Sequence, residues 1–364
     1  MRQLTFCLLL FLLLIAACSS APSEPSVPLP PTQAALAAAQ GERLPSGTLL
    51  VMQENMPRAL LPDGRAIALA EAQQGARGAP NGAFGILFVP SEGALDLALV
   101  DYNQNPPAVR EIPDGRAMIN PIIVWQPDSS GFLFYDFPLI GGLQGAPKAL
   151  YYHQVHDGQT RTLLSVEMSG GRQAVALAFS PNGMYLLYGL LRQDSEALGA
   201  QSGAGYLLNL LGGQPIALPE DALLGFGGWL GDSSGFFNLR DDPQTGRGYL
   251  THYRLAQLAA PQRLTADEDN VTAAASAPDG SQLVLAVRTA DGRAMLRLLP
   301  LDGTAQRELY RLPLGQSIST LIWSAPDAIY FSTSGSEGDR VWRIAPSGGE
   351  PTQLAEGALR GAVR

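Results

Sequence analysis

The sequence predicts an all-β chain: a six-bladed β-propeller of four-stranded antiparallel blades, preceded by a signal peptide and a disordered tether. Three observations predict it. A Pro-Asp/Asn-Gly type of turn, entered from one apolar run and left by another, recurs six times, its aspartate or asparagine at 63, 128, 182, 232, 279 and 327. The spacings are 65, 54, 50, 47 and 48, in the range of propeller blades rather than of short helical repeats. Beyond residue 46 some 318 residues remain, which exceeds one ordinary core and suits a repeated array.

Each turn is followed by strand-like segments in a fixed order. The second strands read AIALA, FLFY, MYLLY, FFNL, LVLAV and IYFS, and the third ALDLALVDY, ALYYHQV, GYLLNLL, YLTHYRL, AMLRLLPL and RVWRIA. Several units close with a glycine turn and a short fourth strand, such as QRLT at Gln262 or TQLAE at Thr352. Apolar, β-branched and aromatic residues within the runs, with Gly, Pro, Asn and Asp between them, favour strands over helices. Trp125, Phe179, Trp229 and Trp323 stand just before their turns and are assigned to the packing between blades. Ring closure is left open: Thr352–Glu356 supplies the last blade's fourth strand, or TLLVMQ at Thr48 pairs with that strand as a clasp.

The repeat resembles the TolB-like, WD-repeat-like propeller unit: a tryptophan, Ser-Pro-Asp-Gly, an apolar strand, a tyrosine-bearing strand, an Asp-Gly-Gly turn and a closing Leu-Thr. The resemblance runs from about Gly47 to Gly357 and implies a fold, not an activity. The first unit lacks the tryptophan, and Gly231 and Ala325 stand in or beside the proline position.

The chain opens with Arg2, an apolar run from Leu4 to Ala17, and Ile15-Ala-Ala-Cys18. That run is shorter than the roughly 20 residues of a membrane span and has the layout of an export signal. The small residues before Cys18 resemble the lipobox of bacterial lipoproteins, which implies lipidation at Cys18 and a membrane anchor. Cys7 would then leave with the signal, and no disulfide or Cys-based metal site remains. The expected domains are residues 1–17 as signal peptide, 18–46 as lipidated cysteine and Pro/Ser/Ala-rich tether, and 47–364 as propeller. The expected location is the cell membrane or outer membrane, facing periplasm or exterior.

With a net charge of −9 and a single lysine, Lys148, the chain lacks the basic stripe of a nucleic-acid partner. Gly231-Asp-Ser233-Ser-Gly235 fits the G-x-S-x-G of serine hydrolases, but the strand-turn-helix context is missing, and only His252 follows. Ser129 in the matching Asp-Ser-Ser-Gly-Phe segment marks Ser233 as a turn residue instead. His153 and His156 fall on opposite faces of a strand, unsuited to a shared metal. Asp267-Glu268-Asp269-Asn270 lacks the spacing of a calcium loop. The longer loops around Asp241 and Asp242 and from Leu191 to Tyr206 name no ligand. No catalytic, metal or cofactor-binding residue is assigned. The expected function is a scaffold binding a protein or envelope ligand; the alternatives are a propeller hydrolase or lyase with a channel site, and a small-ligand or sugar-binding module.

Overall fold

The computed structural model describes residues 39–116, 118–136, 149–165, 173–191, 204–220, 222–266 and 268–364. Cys18 and most of the 191–206 loop lie outside them. Blade 1 holds β1 (Leu49–Gln53), β2 (Met56–Leu60) and β3 (Ala66–Ala68). Blade 2 holds β4 (Phe84–Ser91), β5 (Ala94–Asp101) and β6 (Ala108–Glu111). Blade 3 is β7 (Pro121–Trp125), β8 (Gly131–Asp136), β9 (Leu150–Gln154) and β10 (Thr160–Leu164). Blade 4 is β11 (Gln173–Phe179), β12 (Tyr185–Leu191), β13 (Gly205–Asn209) and β14 (Ile216–Ala217). Blade 5 is β15 (Phe226–Trp229), β16 (Gly235–Asp241), β17 (Gly248–Arg254) and β18 (Gln262–Arg263). Blade 6 is β19 (Val271–Ser276), β20 (Gln282–Arg288), β21 (Ala294–Pro300) and β22 (Arg307–Arg311). Blade 7 is β23 (Ser317–Ala325), β24 (Ala328–Ser334), β25 (Arg340–Ile344) and β26 (Thr352–Glu356), and β27 (Ala358–Ala362) follows.

The ring has seven blades, not the six that the turn count predicts. Six of the sheets have four strands and one has three, all antiparallel. The miscount has a physical source. Pro62-Asp63-Gly64 joins β2 to β3, the third and fourth strands of blade 1, rather than a first strand to a second. AIALA is therefore the outer strand of blade 1, and ALDLALVDY is β5 of another blade. The overlooked marker is Pro80-Asn81-Gly82. There the Ala79 N–H donates to Phe84 O and the Gly82 N–H to Ala79 O, as Ser180, Tyr185 and Gly183 do in blade 4. Counted from Asn81 the spacings become 47, 54, 50, 47 and 48.

Asp and Asn recur in these turns because their short side chains satisfy a backbone donor two residues on. Oδ1 of Asn81, Asp128, Asn182, Asp232 and Asp279 accepts from the N–H of Ala83, Ser130, Met184, Ser234 and Ser281 at 2.9 to 3.0 Å. Asp63 does the same for Arg65 at 3.0 Å, so the two kinds of turn share their local chemistry.

Closure takes a form the sequence left unresolved. Thr352–Glu356 is indeed the fourth strand of blade 7. The clasp is made one strand later: β27 pairs antiparallel with β1, Leu49 opposite Ala362 and Leu50 opposite Gly361, and so supplies the inner strand of blade 1 from the far end of the chain.

Apolar clusters spanning two neighbouring blades weld most of the ring. Trp125 packs with blades 2 and 3, Phe179 between 3 and 4, Trp229 between 4 and 5, and Trp323 between 6 and 7. Further clusters join blades 5 and 6, and 7 and 1. Among the described residues, blades 1 and 2 share none: Leu44, Ala59, Leu61, Leu69 and Val363 form one cluster, and Ala70, Ala72, Leu87, Val100 and Tyr102 another.

Candidate functional site: the cleft beside blade 2

Blade 2 lacks a regular inner strand. In its place residues 70–79, AEAQQGARGA, form two 3-10 turns, Glu71–Gln73 and Gly75–Arg77. Glycine at 75 and 78 and alanine at 70, 72, 76 and 79 leave no β-branched run to hold an extended strand. The segment is fastened at its ends rather than along a ladder. Gln73 is buried, accepting from the Ala70 N–H at 3.3 Å and donating to Glu42 O at 2.8 Å. The Trp125 indole donates to Arg77 O at 3.1 Å, and the Arg77 guanidinium pairs with Glu71 at 2.9 Å and lies over the Phe88 ring.

A cleft of about 820 Å³ opens between this segment and blade 1. Leu50 and Met52 of β1 and Arg360 of β27 form one wall, Gln74 and Ala76 the other, with Trp125 of blade 3 at one side. The volume lies within the roughly 300 to 1,000 Å³ of ligand pockets, and the mostly apolar lining is their usual chemistry. It is the opening expected where one inner strand of seven is replaced by turns. Sequence reasoning missed it because the turn at Asn81, which marks the incomplete blade, was not counted.

The residues weighed in the sequence fall elsewhere. Ser233 is buried, sits at φ +64° in the left-handed region, and its Oγ accepts from the Asn182 N–H of blade 4 at 3.0 Å. Ser129 repeats this at φ +61°, accepting from the Asn81 N–H of blade 2 at 3.1 Å. Both hydroxyls thus latch adjacent blades, while the carboxylates of Asp128 and Asp232 cap their own turns. Gly231 fits the same scheme. Its N–H donates to Ser276 Oγ of blade 6 at 3.0 Å, and a Cβ there would lie 2.2 Å from Ala277 O.

His153 of β9 and His252 of β17 are both buried, and His156 is exposed. His153 Nδ1 meets Thr160 Oγ1 at 3.0 Å. Burial, with the Arg110 charge adding, lowers the His153 pKa to about 4, and burial first and Arg254 second lower that of His252. Both rings are therefore neutral at physiological pH. Neither His153 Nε2 nor either ring nitrogen of His252 has a hydrogen-bond partner among the described residues.

Asp269 is buried against Arg297 at 2.6 Å, and its other oxygen accepts from the Ala266 N–H. Asn270 Oδ1 accepts from the Gly248 N–H. Asp269 and Asn270 of the acidic cluster are thus committed to structure, Glu268 is exposed, and Asp267 lies outside the described residues. Asp242 caps the Gln244 and Thr245 N–H groups, which hold its pKa below the usual value. Among the described residues no three His, Cys, Asp or Glu side chains converge as a metal site would require, and no helix is long and apolar enough to cross a membrane.

No family model matches the chain, and no curated protein matches it in sequence. Solved structures do. A prolyl endopeptidase studied for inter-domain dynamics matches at 15% identity and TM-score 0.58 over 91% of this chain. The chain spans 53% of that enzyme's length. The β-propeller domain of the trilobed protease from Pyrococcus furiosus, described as having an open velcro topology, matches at 11% identity and TM-score 0.54, over 83% of this chain and 87% of that one. The fold is a β-propeller. A putative TolB from Agrobacterium tumefaciens matches at 17% identity over 70% of this chain and 87% of its own, with a TM-score of 0.43.

Proposed function

We propose that the chain is an exported propeller lipoprotein of the TolB-like kind, anchored through lipid on Cys18, that binds a protein or envelope ligand at the cleft beside blade 2. The single observation that supports a binding role is that cleft, an apolar opening of about 820 Å³ at the one blade junction without a shared core among the described residues. The remaining six junctions are welded, so the ring acts as a rigid frame around one adaptable place.

In this reading residues 1–17 are the signal and residues 18 to about 46 the tether, whose Pro-rich part is semi-rigid at about 3 Å per residue. Its last residues approach blade 2, where Ala39 is buried and the Leu44 N–H donates to Gly82 O. Two or more acyl chains suffice for stable attachment without a spanning helix. The site then faces periplasm or exterior, and the acidic chain has no nucleic-acid partner.

The inner strands carry no acid–base pair. PIIVW, QAVALAF, FGGW, VTAAAS, SISTLIWSA and ALRGA contain no carboxylate, and Glu71 in the seventh inner segment is paired to Arg77. That composition favours binding over catalysis in the bore.

The test is affinity capture of the membrane-anchored protein from its own cells, comparing the native chain with Ala76→Trp, which fills the cleft. Ala76 is exposed, so the ring should fold unchanged. The proposal requires a partner or ligand recovered with the native chain and lost with Ala76→Trp; equal recovery with both would contradict it. Separately, Cys18→Ser should release the chain from membranes.

A further inference from the structure

We infer that the cleft beside blade 2 takes a small amphipathic anion: an apolar body the size of a few side chains carrying a carboxylate. The inference deepens the proposed function and rests on the cleft being its binding site.

The first support is charge. Across the seven inner segments the charged residues are Glu71, Arg77 and Arg360. Glu71 and Arg77 neutralise each other at 2.9 Å. Arg360 is exposed and has no hydrogen bond or ion pair among the described residues, and no Asp or Glu lines the cleft. Arg364, also exposed, lines the cleft as a second cation. Guanidinium charge without a carboxylate among the cleft's lining residues, in a chain of net charge −9, is a local reversal of sign, and a guanidinium matches a carboxylate by two parallel hydrogen bonds.

The second support is shape. Leu50, Met52, Phe84, Trp125 and Val363 offer apolar surface around these two arginines. A pocket of this volume, mainly apolar with few polar groups fixing orientation, is the usual design for a small molecule. Fixing the apolar body by burial and the head by Arg360 makes the anion the preferred member of any isosteric series.

The test is calorimetric titration of the full chain in lipid nanodiscs with 6-phenylhexanoate, its neutral amide and the corresponding amine. Saturable binding is expected for the carboxylate, weaker binding for the amide and weakest for the amine. Arg360→Gln should weaken the carboxylate about tenfold, the value of one charge-assisted contact, and leave the amide unchanged. Ala76→Trp should weaken all three together. An unchanged melting temperature certifies that both variants fold.

The inference is overturned by no binding of the carboxylate, by equal affinity for the carboxylate and the amine, or by an Arg360→Gln chain that binds the carboxylate as before. If these probes fail while a protein is captured in a manner sensitive to Ala76→Trp, the anion inference falls and the binding reading stands. If Ala76→Trp changes neither, both fall.

Discussion

Trp125 and Trp229 occupy the same place in their blades, yet they should respond differently to loss of the indole nitrogen. Both are nearly buried, at 9% and 8% exposure, and both pack on a phenylalanine of the following strand, Phe132 and Phe236. The Trp125 Nε1 donates to Arg77 O, whereas the Trp229 Nε1 has no hydrogen-bond partner among the described residues. Replacing either by Phe removes similar ring atoms, at about 1 to 2 kcal/mol for the smaller side chain and its cavity. At Trp125 a hydrogen bond is lost as well, adding about 1 kcal/mol. At Trp229 an unsatisfied buried donor is removed, returning about 1 kcal/mol. Trp125→Phe should therefore cost about 2 to 3 kcal/mol and Trp229→Phe about 0 to 1 kcal/mol. Urea unfolding midpoints at unchanged slope report the difference. Equal costs, or a larger cost at Trp229, would refute the assignment of the two nitrogens.

Truncating either tryptophan to Ala should cost about 3 to 5 kcal/mol, the range for a buried large aromatic, and thermal unfolding checks it. Ser233→Ala removes the latch to Asn182 and should cost about 1 kcal/mol; a hydrolase probe that labels the native chain but not this variant would contradict the turn assignment. Gly231→Ala should destabilise more than Ser233→Ala, because its Cβ meets the backbone of the next blade, and the two melting temperatures compare them directly. Acid should weaken the fold through His153: below the unfolded value of 6.5 the open chain takes up a proton that the folded ring refuses until about 4. Stability is thus full above pH 6.5 and falls towards pH 4, by about 1.4 kcal/mol per unit at most for this one group. His153→Gln should flatten that limb of the stability profile.

Strand chemistry, the turn residues and the inward aromatics were legible in the sequence because each depends on local rules: alternation, Asx capping, and bulky rings before the turn. The number of blades was not. Asp63 and Asn81 both cap a backbone donor two residues on, and local chemistry cannot say whether a turn joins the first and second strands or the third and fourth. Spacing does say it, for 47 residues separate Asn81 from Asp128 where 65 separate Asp63 from it. Blade 1 hid for another reason: its inner strand, β27, is some 300 residues away in sequence from β1. The cleft was illegible because it arises where a strand is absent, and Gln-Gln-Gly-Ala-Arg-Gly reads as an ordinary loop until its neighbours are known. Ser233 and Ser129 were rightly read as turn residues, but their bonds run to the neighbouring blade rather than within their own turn.

Seven blades require β27 to close on β1. A Cβ placed at Gly361 lies 3.9 Å from the Leu50 Cβ, within the span of a disulfide. In Leu50→Cys, Gly361→Cys protein, mild oxidation should link the two positions, giving a faster-migrating band on non-reducing gels and a cross-linked peptide pair by mass spectrometry. A chain in which these cysteines stay free, or pair only with Cys7 or Cys18, would contradict the closure and with it the seven-bladed ring.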